Sequence, residues 1–340
     1  MRLGKLGLVI AGLALAVLAG PSVSGAVDLP ACNDSICAFD GDFTVMSLPF
    51  AQTKVQSSPG QIQDGIVVYT GSGGQGVNQN FANMDNAFPA VGGKSGGTSF
   101  STTTTADPTT GNKAGKSFTG DRDGTWDSQL GAFLTFLNGA TPIFFFNQNQ
   151  ENSGSAAPGC PGATTAQDVC IYGMLTLRDL DNPANDVVLE LEAPTRLFSQ
   201  GPGATDGVAT LPAELILARG AVCQDAVGNE VACDGNQALG PVNHNLGADE
   251  AAYAAFSSVL NGLLATCASA GVNTASCPWD TLSLRFDLTG LTNGFEQLFI
   301  LTSEFVIPPP PVPVPATLLL LGSGLVGLGG GMAWRVRRRG

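Results

Sequence analysis

The chain has 340 residues, of which 44% are apolar and only 13% charged, with 45 Gly, 21 Pro, one His and three Tyr. Glycine and proline at this density oppose long helices, and the shortage of His and Tyr removes groups that commonly run acid–base chemistry, which excludes a conventional helical cytosolic enzyme. A formal charge of −13 with no basic patch in the interior excludes nucleic acid as a main partner.

The charge is unevenly placed. Arg2 and Lys5 stand at one end and Arg335, Arg337, Arg338 and Arg339 at the other, while all 28 acidic residues lie between Asp28 and Glu304. The intervening segment holds nine basic residues and carries −19. Behind Arg2 and Lys5, Leu6 to Ala19 is an uncharged run of Leu, Val, Ala and Gly that ends before Pro21. Ser24-Gly25-Ala26 then supplies the small residues that a signal peptidase reads. Residues 1–26 are predicted to be a Sec-type signal peptide cleaved after Ala26, because the run is short for a hydrocarbon core of about 30 Å.

Residues 27–306 read as the exported domain. Short runs rich in Val, Ile, Phe and Leu, set between Gly, Pro, Asn and Asp, predict strands at Phe43–Leu48, Ile66–Thr70, Ile143–Asn147, Ile171–Arg178 and Val187–Glu192. Others are predicted at Glu214–Cys223, Leu282–Leu288 and Gln297–Val306, and strict alternation in Leu282–Leu288 predicts one buried face. Two segments carry a helical period instead: Trp126, Leu130, Phe133, Leu134 and Leu137, stopping before Gly139, and Asp249–Ala265 with Tyr253, Phe256, Leu260 and Leu264 on one stripe. The predicted fold is mainly β, an antiparallel sandwich-like domain with two inserted helices. Between Gly71 and Gly120 the composition turns to Gly, Ser, Thr, Asn and Lys, including Thr102 to Thr105, which reads as surface strands and loops or partial disorder.

Eight cysteines fall inside this domain. Cys32 and Cys37 are five apart, and Cys160/Cys170, Cys223/Cys233 and Cys267/Cys277 are each ten apart, so four local disulfides are the simple reading. Turn formers within the ten-residue loops let the ends return to bridging distance, and each closure stabilises by roughly 2–3 kcal/mol. Zinc ligation would need a Cys-x-x-Cys or a nearby His, and neither is present. Because the pairs are all local they mark no boundary, and one domain is preferred.

Several motifs invite chemistry. Gly71, Gly73 and Gly76 satisfy a dinucleotide pattern and Gly93, Ser95 and Gly97 a nucleophile elbow, but each lacks the strand or helix that gives the pattern its mechanism, and Gly93, Lys94 and Ser95 resemble a phosphate loop whose first glycine is replaced by Phe88. His244 is the only histidine and is expected in a polar capping loop before the second helix. Asp121, Asp123 and Asp127 surround a turn at Gly124, and Asp179, Asp181 and Asp186 form a second cluster with Asn182 and Asn185. Hard oxygens on short loops suit Ca²⁺; the alternative is that they cap turns. No other cofactor is expected. The same carboxylates raise a glycosidase reading, and Asn147 to Gln150, after Phe144-Phe145-Phe146, are either sugar-binding amides or the polar end of a strand.

At the C-terminal end, Pro308 to Pro315 is proline-dense and predicts an extended polyproline II spacer over residues 307–316. Thr317 to Trp334 is uncharged and rich in Leu and Gly, long enough at about 1.5 Å per residue to cross a bilayer. Arg335, Arg337, Arg338 and Arg339, in the tail 335–340, would hold that end in the cytoplasm. From Val312 to Gly340 the order of motif, hydrophobic span and Arg cluster resembles the PEP-CTERM sorting domain of Gram-negative bacteria, with Pro313, Pro315, Ala316 and Thr317 matching and Val314 in the place of the motif's Glu. The resemblance implies recognition by a membrane exosortase, cleavage near the motif, and release or transfer to the cell surface, often in bacteria that make exopolysaccharide.

The sequence thus predicts a non-enzymatic exported protein, first held at the inner membrane and then at the cell surface or in the extracellular matrix. Its expected partners are signal peptidase and exosortase during export and exopolysaccharide afterwards. A secreted polysaccharide-active hydrolase and an ice-binding or adhesive protein are the alternatives, the last requiring a regular Thr-x-Thr ladder that four consecutive threonines do not form.

Overall fold

The computed structural model describes residues 27–33, 35–57, 66–69, 82–88, 98–105, 118–156, 158–191, 215–231, 233–247, 249–292 and 296–303. The expected signal peptide, the proline spacer with its sorting motif at 313–316, the hydrophobic span and the arginine tail all lie outside these residues, as do the glycine motifs at 71–76 and 93–97. Among the described residues, no helix is long and apolar enough to cross a membrane.

In chain order the elements are β1 (Cys37–Asp40), β2 (Phe43–Ser47), β3 (Ile66–Tyr69), β4 (Ser99–Ser101), β5 (Trp126–Gln129), α1 (Leu130–Leu137), β6 (Thr141–Asn147) and β7 (Val169–Arg178). There follow β8 (Val187–Leu191), β9 (Ile216–Ala218), β10 (Ala221–Gln224), β11 (Glu230–Val231), β12 (Leu239–Asn243), β13 (Ala251–Phe256), α2 (Ser258–Ala270), β14 (Thr281–Thr289) and β15 (Gln297–Ser303). One sheet has the order β1-β2-β13-β6-β15-β3. The second is built on the long antiparallel pair β7–β14, in register from Thr281↔Arg178 to Thr289↔Cys170, with β5 and β4 along the outer side of β14 and β8 and β9 along that of β7. A small third sheet has the order β11-β10-β12. Mainly β, antiparallel and with two helices, the fold is the one expected.

The two large sheets face one another across the main core. Phe144 and Phe146 of β6 point into it, and the Phe146 ring lies 6.2 Å from that of Phe286 on β14. The alternate residues Ile143 and Phe145 point the other way, into a second core covered by Leu29, Ile36 and Val55, where Phe145 stacks on Phe299 at 5.5 Å. A strand apolar at every position is thus explained by burial on both faces, each full burial of such a side chain stabilising by about 1.5–3 kcal/mol.

Four expectations are corrected. Trp126 is not on a helix: it pairs with Leu284 in β5, and the helix starts at Leu130. The chain turns into this strand at Gly124, whose φ of 90° suits glycine. The Ala-rich stretch is not one helix either, since Ala251–Phe256 is the strand between β2 and β6. There tertiary context overrides helix propensity, the alanines fitting between strands that carry large side chains. The helix begins only after Ser257, whose Oγ accepts from the Leu260 N–H at 3.2 Å, and it buries Leu260, Leu264 and Cys267. Glu214–Cys223 is not one strand, because the chain leaves the second sheet after β9 and enters the small sheet at β10. At the break the Gly220 N–H donates to Asp168 at 3.2 Å. Lastly, β14 is buried on both faces, with Ser283 and Asp287 buried like the alternate residues Leu282, Leu284, Phe286 and Leu288.

All eight cysteines are paired as the spacing predicts, with Cα–Cα distances of 5.5 Å for Cys32–Cys37, 5.2 Å for Cys160–Cys170, 5.4 Å for Cys223–Cys233 and 5.0 Å for Cys267–Cys277.

Candidate functional site

Pairing of β5 with β14 places Asp127 opposite Ser283, on one face of the second sheet. The Asp127 carboxylate accepts from the Ser283 hydroxyl, from Thr125 Oγ1 at 3.0 Å and from the Arg122 N–H at 3.0 Å. A distant segment completes the group. Met84 bridges to Ser128, which lays Asp85 beside β5: the Asp85 N–H donates to the Asp127 carbonyl at 2.9 Å and the Asp127 N–H to Asp85 Oδ2 at 2.7 Å. Trp126 Nε1–H donates to the Asp85 carbonyl at 3.2 Å.

Asp121 arrives from Gly120, which lies so close to β14 that a Cβ there would stand 2.3 Å from Thr281 Cγ2, and whose φ of 94° also suits glycine. One carboxylate oxygen each from Asp85, Asp121 and Asp127 lie within 4.8 Å of one another. Asp85 and Asp127 have no exposed surface. Burial pushes the Asp127 carboxyl above the usual range despite its three donors. Asp121 is raised too, first by burial and then by the charge of Asp127.

The structure therefore unites Asp121 and Asp127 but leaves Asp123 exposed and outside the group. Asp85, separated from Asp127 by 42 residues, was missed; it sits in Asn83-Met84-Asp85-Asn86 with no neighbouring acid to flag it.

The second acidic cluster has a different character. Asp179 Oδ1 accepts from the N–H groups of Asp181 and Asn182 at 3.0 and 2.8 Å, and its Oδ2 from Asn185 Nδ2 at 2.7 Å. Asp186 Oδ1 accepts from the Asp179 N–H at 2.9 Å. These hydrogen bonds, that from Asn185 first, hold Asp179 below the usual carboxylate range. It is a capped turn.

His244 is not in a capping loop before a helix; it is fully buried, and β13 follows it. Its ring lies 5.0 Å from Tyr253, stacked, and 5.6 Å from Phe50. The Val242 carbonyl, 3.1 Å from Nδ1, can only accept, so Nδ1 carries the proton and Nε2 accepts from Ser47 Oγ–H at 2.7 Å. Burial lowers its pKa to about 4. A serine and a neutral imidazole in hydrogen-bond contact have the geometry of a nucleophile and its base, but Ser47 has no exposed surface and a substrate cannot reach it.

The amides at the end of β6 and just after it bind the protein itself. Asn147 Oδ1 accepts from the Gln297 N–H, Gln148 Nε2 donates to the Ala218 carbonyl at 3.1 Å, and Gln150 Oε1 accepts from Thr292 Oγ1 at 2.7 Å. Thr102 is buried, its Oγ1 accepting from the Phe286 N–H at 3.2 Å, and the following threonines turn away from β4.

Comparison with the curated proteins and with the solved structures finds no match. Residues 27–287 match a family model, which covers the two large sheets up to β14, both helices and every disulfide, and the chain belongs to the family described as Domain of unknown function (DUF8239).

Proposed function

We propose that this protein is a non-enzymatic, exported component of the cell surface or extracellular matrix, delivered by a cleaved N-terminal signal and a PEP-CTERM-like C-terminal signal, and that it associates with exopolysaccharide. The observation that carries this reading is the closure of all eight cysteines into four local disulfides, which persist in an oxidising compartment outside the cytoplasm. The placement of polar groups supports a structural role. The amides, the Ser47–His244 pair and the acidic group of Asp85 and Asp127 are turned inward and hydrogen-bonded to the fold, where a polysaccharide chain has no access.

Expression in an exosortase-positive host and in its exosortase deletion tests the reading. The expected result is a mature N-terminus at Val27, loss of the residues after the 313–316 motif, and surface or medium localisation in the first host only. Retention in the cytoplasm, or identical processing in both hosts, overturns the sorting route. Glycan pull-down beside a glycan-release assay tests the role: binding without turnover is expected, and turnover moves the protein to the hydrolase class.

A further inference from the structure

We propose that Thr292 and Gln150 join in an intramolecular ester, made by the protein itself with loss of one ammonia, and that this bond staples the crossing from the second sheet to the first.

Gln150 follows β6, and Thr292 lies between β14 and β15, 142 residues further on. The Gln150 amide is held at both ends. Its Oε1 accepts from the Thr292 N–H at 2.5 Å and lies 2.7 Å from Thr292 Oγ1, while its Nε2 donates to Glu296 Oε1. Gln150 and Glu296 are both buried. Asn245 pins the backbone of Gln150: its Oδ1 accepts from the Gln150 N–H at 2.6 Å and its Nδ2 donates to the Gln150 carbonyl at 2.9 Å. A carbonyl bond is about 1.23 Å long, so the amide carbon Cδ stands no more than about 3.9 Å from the Thr292 hydroxyl oxygen. A side-chain shift of less than about 1 Å brings the two atoms to reacting distance.

The hydroxyl has the partners an attack requires. It carries one proton and two lone pairs. The Ala166 carbonyl, at 2.9 Å, can take the proton, and the Glu151 N–H donates to Oγ1 at 2.9 Å, which among the described residues leaves one lone pair for Cδ. The Thr292 N–H, already on Oε1, is the donor that stabilises the oxyanion when the carbonyl carbon becomes tetrahedral. In the balanced step the Oγ1–Cδ bond forms, the Cδ–Nε2 bond breaks, and the hydroxyl proton passes to the departing nitrogen, which leaves as ammonia. Glu296, already on that nitrogen, relays the proton. The step needs no oxidant, reductant or second substrate.

Such a bond supplies what the disulfides do not. Their sequence separations are ten residues or fewer, so none reaches across the two sheets, whereas a link between residues 142 apart removes far more freedom from the unfolded chain. The ester does not depend on how the protein is sorted, so its failure and that of the export route are separate results.

Full-length protein, reduced, digested and read by tandem mass spectrometry, provides the test. The peptides containing Gln150 and Thr292 are expected to be joined, lighter than their sum by one ammonia, and to come apart in alkaline hydroxylamine, which cleaves esters. Thr292→Ser keeps a hydroxyl and should keep the link, and Thr292→Val should abolish it. Glu296→Gln, which preserves the shape beside Nε2, should lower the linked fraction about tenfold or more, because a positioned acid–base group contributes at least that much to the rate. Separate, unmodified Gln150 and Thr292 peptides from the parent protein overturn the cross-link, and an undiminished link in Glu296→Gln overturns the relay.

Discussion

The two acidic loops, 121–127 and 179–186, are close in composition and opposite in construction. Around Asp179 the chain folds back so that its own N–H groups and Asn185 meet the carboxylate within a few residues. Around Asp127 two donors, Thr125 and the Arg122 N–H, are as local, but Ser283 on β14 also donates to the carboxylate, Asp85 before β4 pairs with its backbone, and a third carboxylate, Asp121, lies close by. A carboxylate whose donors are all local is a turn cap, and carboxylates collected from two segments and held by a third, β14, make a junction. Residue type gives the same signal in both cases; only the origin of the neighbours separates them.

The contrast is sharpest on truncation. Asp127→Ala removes the acceptor of three hydrogen bonds in a fully buried place and should destabilise by about 3 kcal/mol. Chemical denaturation measures it, and a loss below about 1 kcal/mol would mean that the junction contributes little to the fold.

Acid separates the loops next, over a background set by His244. The His244 pKa is lowered to about 4 in the folded state against 6.5 unfolded, so its contribution is fully present above pH 6.5 and is lost as pH falls toward 4. The expected loss is about 3 kcal/mol. In a His244→Gln background that slope should vanish. What remains should then split: Asp121 and Asp127, raised above 3.8, favour the folded state as they take up protons at falling pH, whereas the contribution of Asp179, lowered from 3.8, persists until pH drops below that value. Denaturation midpoints measured from pH 7 to pH 3 report both, and a flat profile for wild type would contradict the burial of a neutral His244.

A smaller effect is expected at the capped turn. Asp179→Ala should lower the midpoint by less than Asp127→Ala. The smallest effect carries the opposite sign: Asp121→Asn should leave stability unchanged or slightly raised, because it removes a charge that Asp127 repels. A clear loss of stability in that variant would show that Asp121 acts as a cap and would erase the distinction between the loops.

What the sequence discloses depends on how local the cause is. The disulfides were legible because each pair closes within ten residues, and β6, β7, β8, β14 and β15 because a run of large apolar residues is its own signal. The strand Ala251–Phe256 was not, since alanine favours a helix until strands on both sides claim its backbone. Of the acidic junction, Asp121 and Asp127 could be read from the loop around Gly124, but Asp85 could not, because only the Met84–Ser128 bridge brings it there. His244 was misplaced for a similar reason: its environment is made by Ser47, Phe50 and Tyr253, none of them near it in sequence except Tyr253.

The double burial of β6 changes how this strand can find its place. In a sheet with one wet face, a slip of one residue is forbidden because it would turn the apolar set toward water. Ile143, Phe144, Phe145 and Phe146 alternate between two dry compartments, so a slipped β6 would still bury a large side chain on each side. Hydrophobicity cannot tell the two alignments apart. The amides that close the strand can, because Asn147 meets the Gln297 N–H and Gln148 the Ala218 carbonyl in one alignment only. The polar row at the end of β6 thus acts as an index mark, selecting which of two equally greasy alignments becomes the native one.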